Sequence, residues 1–188
     1  MDTLRRGDVV SPRSFTSITG SRITVPGEQV VHLQFRRYAG CPVCNLHLHQ
    51  MAQRIDDIRD AGIREVVFFH SEAEVMLPLQ GRLPFDTVAD PEFEVYREFG
   101  VGRITWRNAW RGLTWRSWRS AARGLRAAPS LRSALGDGET KLGLPAEFLI
   151  ARDGRIVALR YGRYVDDHWS VHELLEISRN AARALRSP

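Results

Sequence analysis

Apolar positions along this chain follow two periods, and the switches between them outline the elements. Gln29-Val30-Val31-His32-Leu33-Gln34-Phe35 is dominated by apolar and β-branched residues and predicts a largely buried strand. Beyond Pro42 the spacing changes. Leu46, His49, Met51, Ala52, Ile55 and Ile58 recur mostly at three- and four-residue steps, which predicts a helix over 42–61 stopped by Gly62. Arg64-Glu65-Val66-Val67-Phe68-Phe69-His70 returns to a core strand, so strand, helix and strand make a βαβ unit with parallel pairing. Ahead of this unit, residues 14–25 read as a short hairpin turning at Thr19-Gly20-Ser21. Behind it come a short helix capped by Ser71 and running to Gln80, a third strand over 85–89, and a helix opened by Asp90-Pro91 and running to Phe99. Residues 146–151 and 155–161 predict a hairpin around Asp153-Gly154. A stripe of Val171, Leu174, Leu175, Ile177, Ala181 and Leu185 predicts a last helix from about Asp167.

The rhythm breaks over residues 103–143, where eight arginines and four tryptophans fall and no acidic residue stands between Glu98 and Asp137. At least one amphipathic helix is expected, with Trp106, Trp110 and Leu113 on one side and Arg103, Arg107 and Arg111 on another. The segment reads as an insertion into a single domain spanning 1–188. It also opens an alternative for the whole chain, a non-enzymatic binding module that docks on an acidic partner or an anionic membrane surface, since Arg and Trp together suit interfaces and headgroups. No nucleic-acid motif accompanies the charge, so nucleic acid is not an expected partner.

Composition adds little to this picture. Hydrophobic residues at 43% and charged residues at 26% are ordinary for a soluble globular protein and argue against disorder along the chain. The formal charge of +5 is carried by arginine, with Lys141 the single lysine, and a net charge of this size selects no partner. No run is long enough to span a bilayer and the first eight residues lack the apolar stretch of a secretory signal, so a cytoplasmic location is expected. In that reducing setting a lone Cys-x-x-Cys is more plausibly catalytic than a structural staple.

The two cysteines of the chain stand at the junction of the first core strand and its helix, in Gly40-Cys41-Pro42-Val43-Cys44. Pro42 suits the first helical position, where a missing N–H costs nothing. Cys41 then becomes the cap, facing the unpaired N–H groups and positive end of the helix, which favour thiolate. Cys44 lies one turn in and can close a disulfide onto it. Cys41 is the expected attacking sulfur and Cys44 the resolving one, with Tyr38, Gly40 and Pro42 in support. Half a zinc site, built from Cys41, Cys44 and His47, is one competing reading, although zinc draws its ligands from separate segments. Two inert core cysteines are another, although packing does not require this residue order. Arg36 and Arg37 either add positive field or, as the preferred reading, end the strand as solvated charges. His47, His49, His70, His168 and His172 make no triad-like arrangement, and neither a cofactor nor a metal is expected.

A βαβ half carrying Cys-x-x-Cys at its first helix, then Leu144-Pro145 leading into a hairpin and a final helix, resembles the thioredoxin fold, a three-layer α/β/α sandwich. Residues 4–10, the Asp90-Pro91 helix and Glu147-Phe148-Leu149-Ile150-Ala151-Arg152-Asp153-Gly154 are similar to peroxiredoxins and alkyl hydroperoxide reductases, the AhpC/TSA redoxins. Gly-Cys-Pro-x-Cys most resembles their peroxiredoxin-like branch. The resemblance implies an oxidoreductase that reduces disulfides or hydroperoxides through a Cys41–Cys44 redox couple, reopened by a cellular thiol reductant. It also implies a cis proline at Pro145 beside the cysteines. The chain departs from the family pattern where Tyr38 replaces the threonine three residues before the attacking cysteine and Pro145 replaces the peroxide-orienting arginine. Two thioredoxin features are replaced as well, the tryptophan by Gly40 and the buried acid by Phe35.

Overall fold

The strand over 30–35 is apolar on one face and polar on the other, yet both faces are buried, which places it in the middle of a sheet. The computed structural model describes residues 3–102 and 144–184; the Arg/Trp-rich segment and the helix expected within it lie outside the described residues. In chain order the elements are β1 (Arg13–Thr16), β2 (Arg22–Val25), β3 (Val30–Phe35), α1 (Pro42–Ala52), α2 (Ile55–Asp60), β4 (Ile63–Phe69), α3 (Ala73–Gln80), β5 (Asp86–Ala89), α4 (Glu94–Glu98), β6 (Ala146–Ile150), β7 (Ile156–Tyr161) and α5 (Val171–Ala184). β1 and β2 pair as an antiparallel hairpin, and the other strands form one sheet in the order β5-β4-β3-β6-β7. β3, β4 and β5 run parallel, as the βαβ reading requires, while β6 pairs antiparallel with β3 and β7 antiparallel with β6.

The sheet separates two layers. Val31, Leu33 and Phe35 point with Val66, Phe68 and Phe148 into a core closed by α4 and the β1–β2 hairpin, through Tyr96, Ile23 and Val25. Phe35 is its hub, with its ring 4.8 Å from Tyr96 and 5.4 Å from Phe68. The opposite parity, with Ile63, Val67, Phe69 and Leu149, packs under α1, α2, α3 and α5 through Leu48, Met51, Ile58, Met76 and Leu174. Helices on one face and a helix plus a hairpin on the other give the three-layer arrangement expected from the sequence. No helix among the described residues is long and apolar enough to cross a membrane.

Four helix boundaries differ from the periodicity reading, each for a local reason. α3 is capped by Glu72 and not by Ser71, whose Oγ accepts the Ala39 N–H at 2.8 Å. The expected 42–61 helix is two helices, because Arg54 at φ −121° and ψ 25° leaves the helical region. The chain restarts with Asp56 and Asp57 in the first turn, and Arg54 Nε bonds Asp57 at 2.8 Å. α4 starts at Glu94 and not at Pro91, because the Asp90 carboxylate reaches forward to accept the N–H groups of Glu94, Val95 and Tyr96 at 2.9–3.1 Å. α5 starts at Val171 and not near Asp167, fixed by a capping box in which Ser170 Oγ accepts the Glu173 N–H and Glu173 accepts the Ser170 N–H.

Candidate active site

The Arg36 N–H still donates to Phe68 O at 2.8 Å, so the β3 ladder runs one residue past Phe35 before the chain turns. The turn is then tied down. The Ala39 N–H donates to Ser71 Oγ, and its carbonyl accepts from Asn45 Nδ2 and Gln80 Nε2 at 2.9 and 2.8 Å. The Cys41 N–H donates to Tyr38 O at 3.1 Å, and Gly40 is buried within the turn. Cys41 is the extended N-cap residue of α1, and Pro42 follows at the first helical position. Cys44 sits one turn in, and its thiol points at Cys41 Sγ from 2.9 Å. Both cysteines are free and almost fully buried, at 1% and 2% exposure, in a cluster with Tyr38 and Val43 against which Val165 packs.

This geometry polarises the pair. The thiol hydrogen bond from Cys44 is the largest influence on Cys41; the Arg37 guanidinium and the amides of Cys44 and Val43 add to it, and against burial they bring its pKa from 9.0 down to about 6. Arg37 Nη1 lies 3.9 Å from Cys41 Sγ. The amides act as helix-end dipoles, since the sulfur makes no capping hydrogen bond of ordinary geometry. Cys44 moves the other way. Donating a hydrogen bond to the Cys41 sulfur, being buried, and facing a negative neighbour all raise its pKa well above 9.0. One sulfur is a thiolate near neutral pH and the other a protonated thiol directed at it. Among the described residues no group of three or more His, Cys, Asp and Glu could hold a metal ion.

The structure places the remaining expected residues as follows. Tyr38 contributes its backbone carbonyl and an apolar wall, and the Arg37 Cζ stands 5.5 Å from its ring. Pro145 is buried at the entry to β6, but the Leu144–Pro145 bond is not cis; the cis bond of the described chain is Val25–Pro26. The expectation of a cis proline at 145 is therefore corrected. What Pro145 does hold is Gly162, whose N–H donates to Pro145 O at 2.8 Å. A Cβ at 162 would meet Pro145 Cγ at 2.6 Å and its backbone O at 2.7 Å. Gly162→Ala is therefore expected to destabilise the fold by about 1–3 kcal/mol, read as a lower midpoint in chemical denaturation.

Arg36 is the larger correction. It is no solvated strand-end charge but 0% exposed, because the strand alternation carries it onto the inner face with His32 and Gln34. There its Nη2 donates to Glu147 Oε1 at 3.1 Å and to His47 Nδ1 at 2.9 Å. Glu147 Oε2 accepts the Trp169 N–H at 2.6 Å, and His47 Nε2 bonds Trp169 O at 2.9 Å. Alongside, His32 Nδ1 bonds Glu65 at 2.9 Å, and Gln34 Nε2 bonds the same carboxylate. Burial, Arg36 and His168 together hold the His47 pKa well below 6.5, and burial raises that of Glu147 against the pull of Arg36 and His32. His168, whose ring centroid is 3.8 Å from that of His47, is pushed down to about 2 by burial, Arg36 and Arg160. His70 stacks on Phe93 at 4.7 Å in the opposite layer, and His49 and His172 are exposed.

A five-stranded mixed sheet whose first helix carries a free dithiol at its N-terminus has thioredoxin-like architecture, and the chain is an oxidoreductase. The chain belongs to the AhpC/TSA antioxidant enzyme family, whose model matches residues 48–163. That match begins four residues after Cys44, so the case for the cysteines rests on the geometry above. Solved structures agree on the fold. Peroxidoxin BcpB from Mycobacterium tuberculosis superposes with a TM-score of 0.65 at 15% identity, covering 98% of this chain and 99% of that one. AhpC from Mycobacterium bovis gives 0.66 at 13%, covering 100% and 97%. A putative thiol:disulfide interchange protein DsbE from Chlorobium tepidum gives 0.57 at 17%, covering 97% and 98%. No curated protein matches the chain in sequence.

Proposed function

We propose that this oxidoreductase works through the Cys41–Cys44 dithiol and reduces disulfides or hydroperoxides in a reducing compartment such as the cytoplasm. The single observation that carries the reading is the sulfur pair at 2.9 Å, with Cys44 donating to a Cys41 whose pKa is about 6. With a hydroperoxide, the Cys41 thiolate attacks the terminal oxygen, the O–O bond breaks, and an alkoxide leaves and takes up a proton; Cys41 becomes a sulfenic acid. The Cys44 sulfur then attacks that sulfur, water leaves with the Cys44 proton, and an internal disulfide forms. With a disulfide, Cys41 displaces one sulfur as thiolate to give a mixed disulfide, and Cys44 displaces the other. Each route oxidises the dithiol by two electrons, which an external dithiol or two low-molecular-weight thiols return. No cofactor is needed for either balance.

The peroxiredoxin threonine and arginine positions are occupied by Tyr38 and Pro145, so the polarising cation beside Cys41 is supplied from the strand end, by Arg37 at 3.9 Å. A parallel assay with hydrogen peroxide, an organic hydroperoxide and a protein disulfide, with thiol trapping of each cysteine, tests the reading. A lack of turnover with all three overturns it. The pH profile of Cys41 alkylation is a second check. A lowered thiol pKa means that the reactive thiolate persists down to the lowered value, so the rate should rise through a midpoint near pH 6 and lie flat by pH 8. A midpoint near pH 9 would remove the electrostatic basis for assigning the attack to Cys41.

A further inference from the structure

The contacts around Trp169 form a closed ring. His47 Nε2 faces the Trp169 carbonyl, which can only accept, so Nε2 carries the hydrogen and Nδ1 is left to accept from Arg36. Arg36 donates to Glu147, and Glu147 accepts the Trp169 N–H. The ring therefore runs from β3 to α1 to the Trp169 peptide to β6 and back to β3. Its four members are 0–6% exposed. Burying an arginine costs several kcal/mol unless partners with good geometry surround it, so an arginine in this place marks a site where a fixed polar arrangement matters more than packing. The peptide it grips belongs to residues 162–170, which have no regular secondary structure, and Val165 in that segment packs against the cluster that holds both sulfurs, Tyr38, Cys41, Val43 and Cys44. The other described walls, Tyr38 and Val43, sit on the tied-down turn and on α1. Val165 is the wall that can leave.

We propose that Arg36, His47 and Glu147 are positioning residues that latch residues 162–170 across the thiols, so that Cys41 meets its substrate when the Trp169 peptide leaves the ring. The inference rests on the redox reading of the two cysteines. Closed, the latch leaves Cys41 at 1% exposure, which shields the thiolate from unselective oxidation; open, it uncovers the same sulfur without disturbing the β3–α1 turn. His47 is one turn beyond Cys44 on α1, so the helix that carries the dithiol also carries the catch.

The test is the alkylation rate of Cys41 by iodoacetamide in the reduced full-length protein, compared on the plateau above the thiolate midpoint so that a shifted pKa does not count. His47→Leu removes both the acceptor for Arg36 and the donor to Trp169 O, and loss of that one tie to the segment is expected to raise the rate about tenfold. His47→Gln keeps an acceptor for Arg36 and a donor for Trp169 and should return the rate to within about threefold of the parent. Val165→Ala should accelerate alkylation without touching the ring. Acceleration by Val165→Ala with none by His47→Leu overturns the latch, as does acceleration by His47→Leu that His47→Gln fails to reverse. Should His47→Leu not fold, hydrogen exchange of the parent decides. The Trp169 amide is expected to be protected about a hundredfold or more, and exchange at the unprotected rate overturns the proposal. Alkylation is read without substrate, so absent turnover in the parent counts against the redox reading alone.

Discussion

Cys41→Ser is expected to lower turnover of disulfides and hydroperoxides on the order of a thousandfold, to background, whereas Cys44→Ser should permit one equivalent of oxidation and then stall. The asymmetry follows from the proton. Cys44 donates across 2.9 Å to Cys41, so one sulfur carries the charge and the other the hydrogen. A serine at 41 has no accessible anion near neutral pH. A serine at 44 keeps a donor for the Cys41 thiolate but offers no sulfur for the disulfide. Trapping with a sulfenate-reactive reagent, or isolation of a mixed disulfide with a thiol substrate, should therefore label Cys41 in the Cys44→Ser protein. Cys44→Ala separates the two roles of Cys44, because it deletes the donor as well as the sulfur. Its Cys41 midpoint should move upward from about 6, with slower alkylation at pH 7. Full turnover by Cys41→Ser, or labelling that appears on Cys44 in place of Cys41, would reverse the assignment.

The sheet and the dithiol are legible in the sequence because both are written locally. Val31, Leu33 and Phe35 repeat at the strand period, and Gly-Cys-Pro-x-Cys places a cap, a first-turn proline and a second sulfur within five residues. The polar ring is written across the chain. His32, Gln34 and Arg36 share one parity of β3, but their partners stand 33 residues away at Glu65 and 111 residues away at Glu147. A polar residue in an apolar strand does not say whether it is solvated or paired. The available signal was the coincidence of single acids in Arg64-Glu65-Val66-Val67 and Ala146-Glu147-Phe148-Leu149 with basic and amide groups at alternate β3 positions, because strands this apolar are buried on both faces. The Ser170-Val171-His172-Glu173 capping box is equally readable, because its two partners stand three residues apart. The cis state of a proline is set by the packing around it, so the motif around Pro145 did not fix it.

Within the ring, the two halves of the ion pair should fail unequally. Glu147→Leu leaves the Arg36 guanidinium buried without its counterion and beside an unpaired Trp169 N–H, and is expected to cost about 3–5 kcal/mol. For a chain of this length that is a fall of about 6–20 °C in the thermal midpoint. Arg36→Met strands a carboxyl that has another way out. Burial already raises the pKa of Glu147, with Arg36 the strongest influence restraining it, so without the arginine the acid takes up a proton and sheds its charge. Arg36→Met should therefore cost less than Glu147→Leu at pH 7. Its folded-state carboxyl pKa then lies further above the unfolded value, so the penalty should shrink as pH falls toward 5, where the native site binds a proton more readily than the unfolded chain does. The double variant should be more stable than the sum of the single losses allows, since it leaves no buried charge in the pair. Thermal melts of the three proteins at pH 7 and pH 5 check this. Strictly additive losses with no pH dependence in Arg36→Met would mean that the two side chains do not act as a pair, and the ring through Trp169 would lose the member that holds it closed.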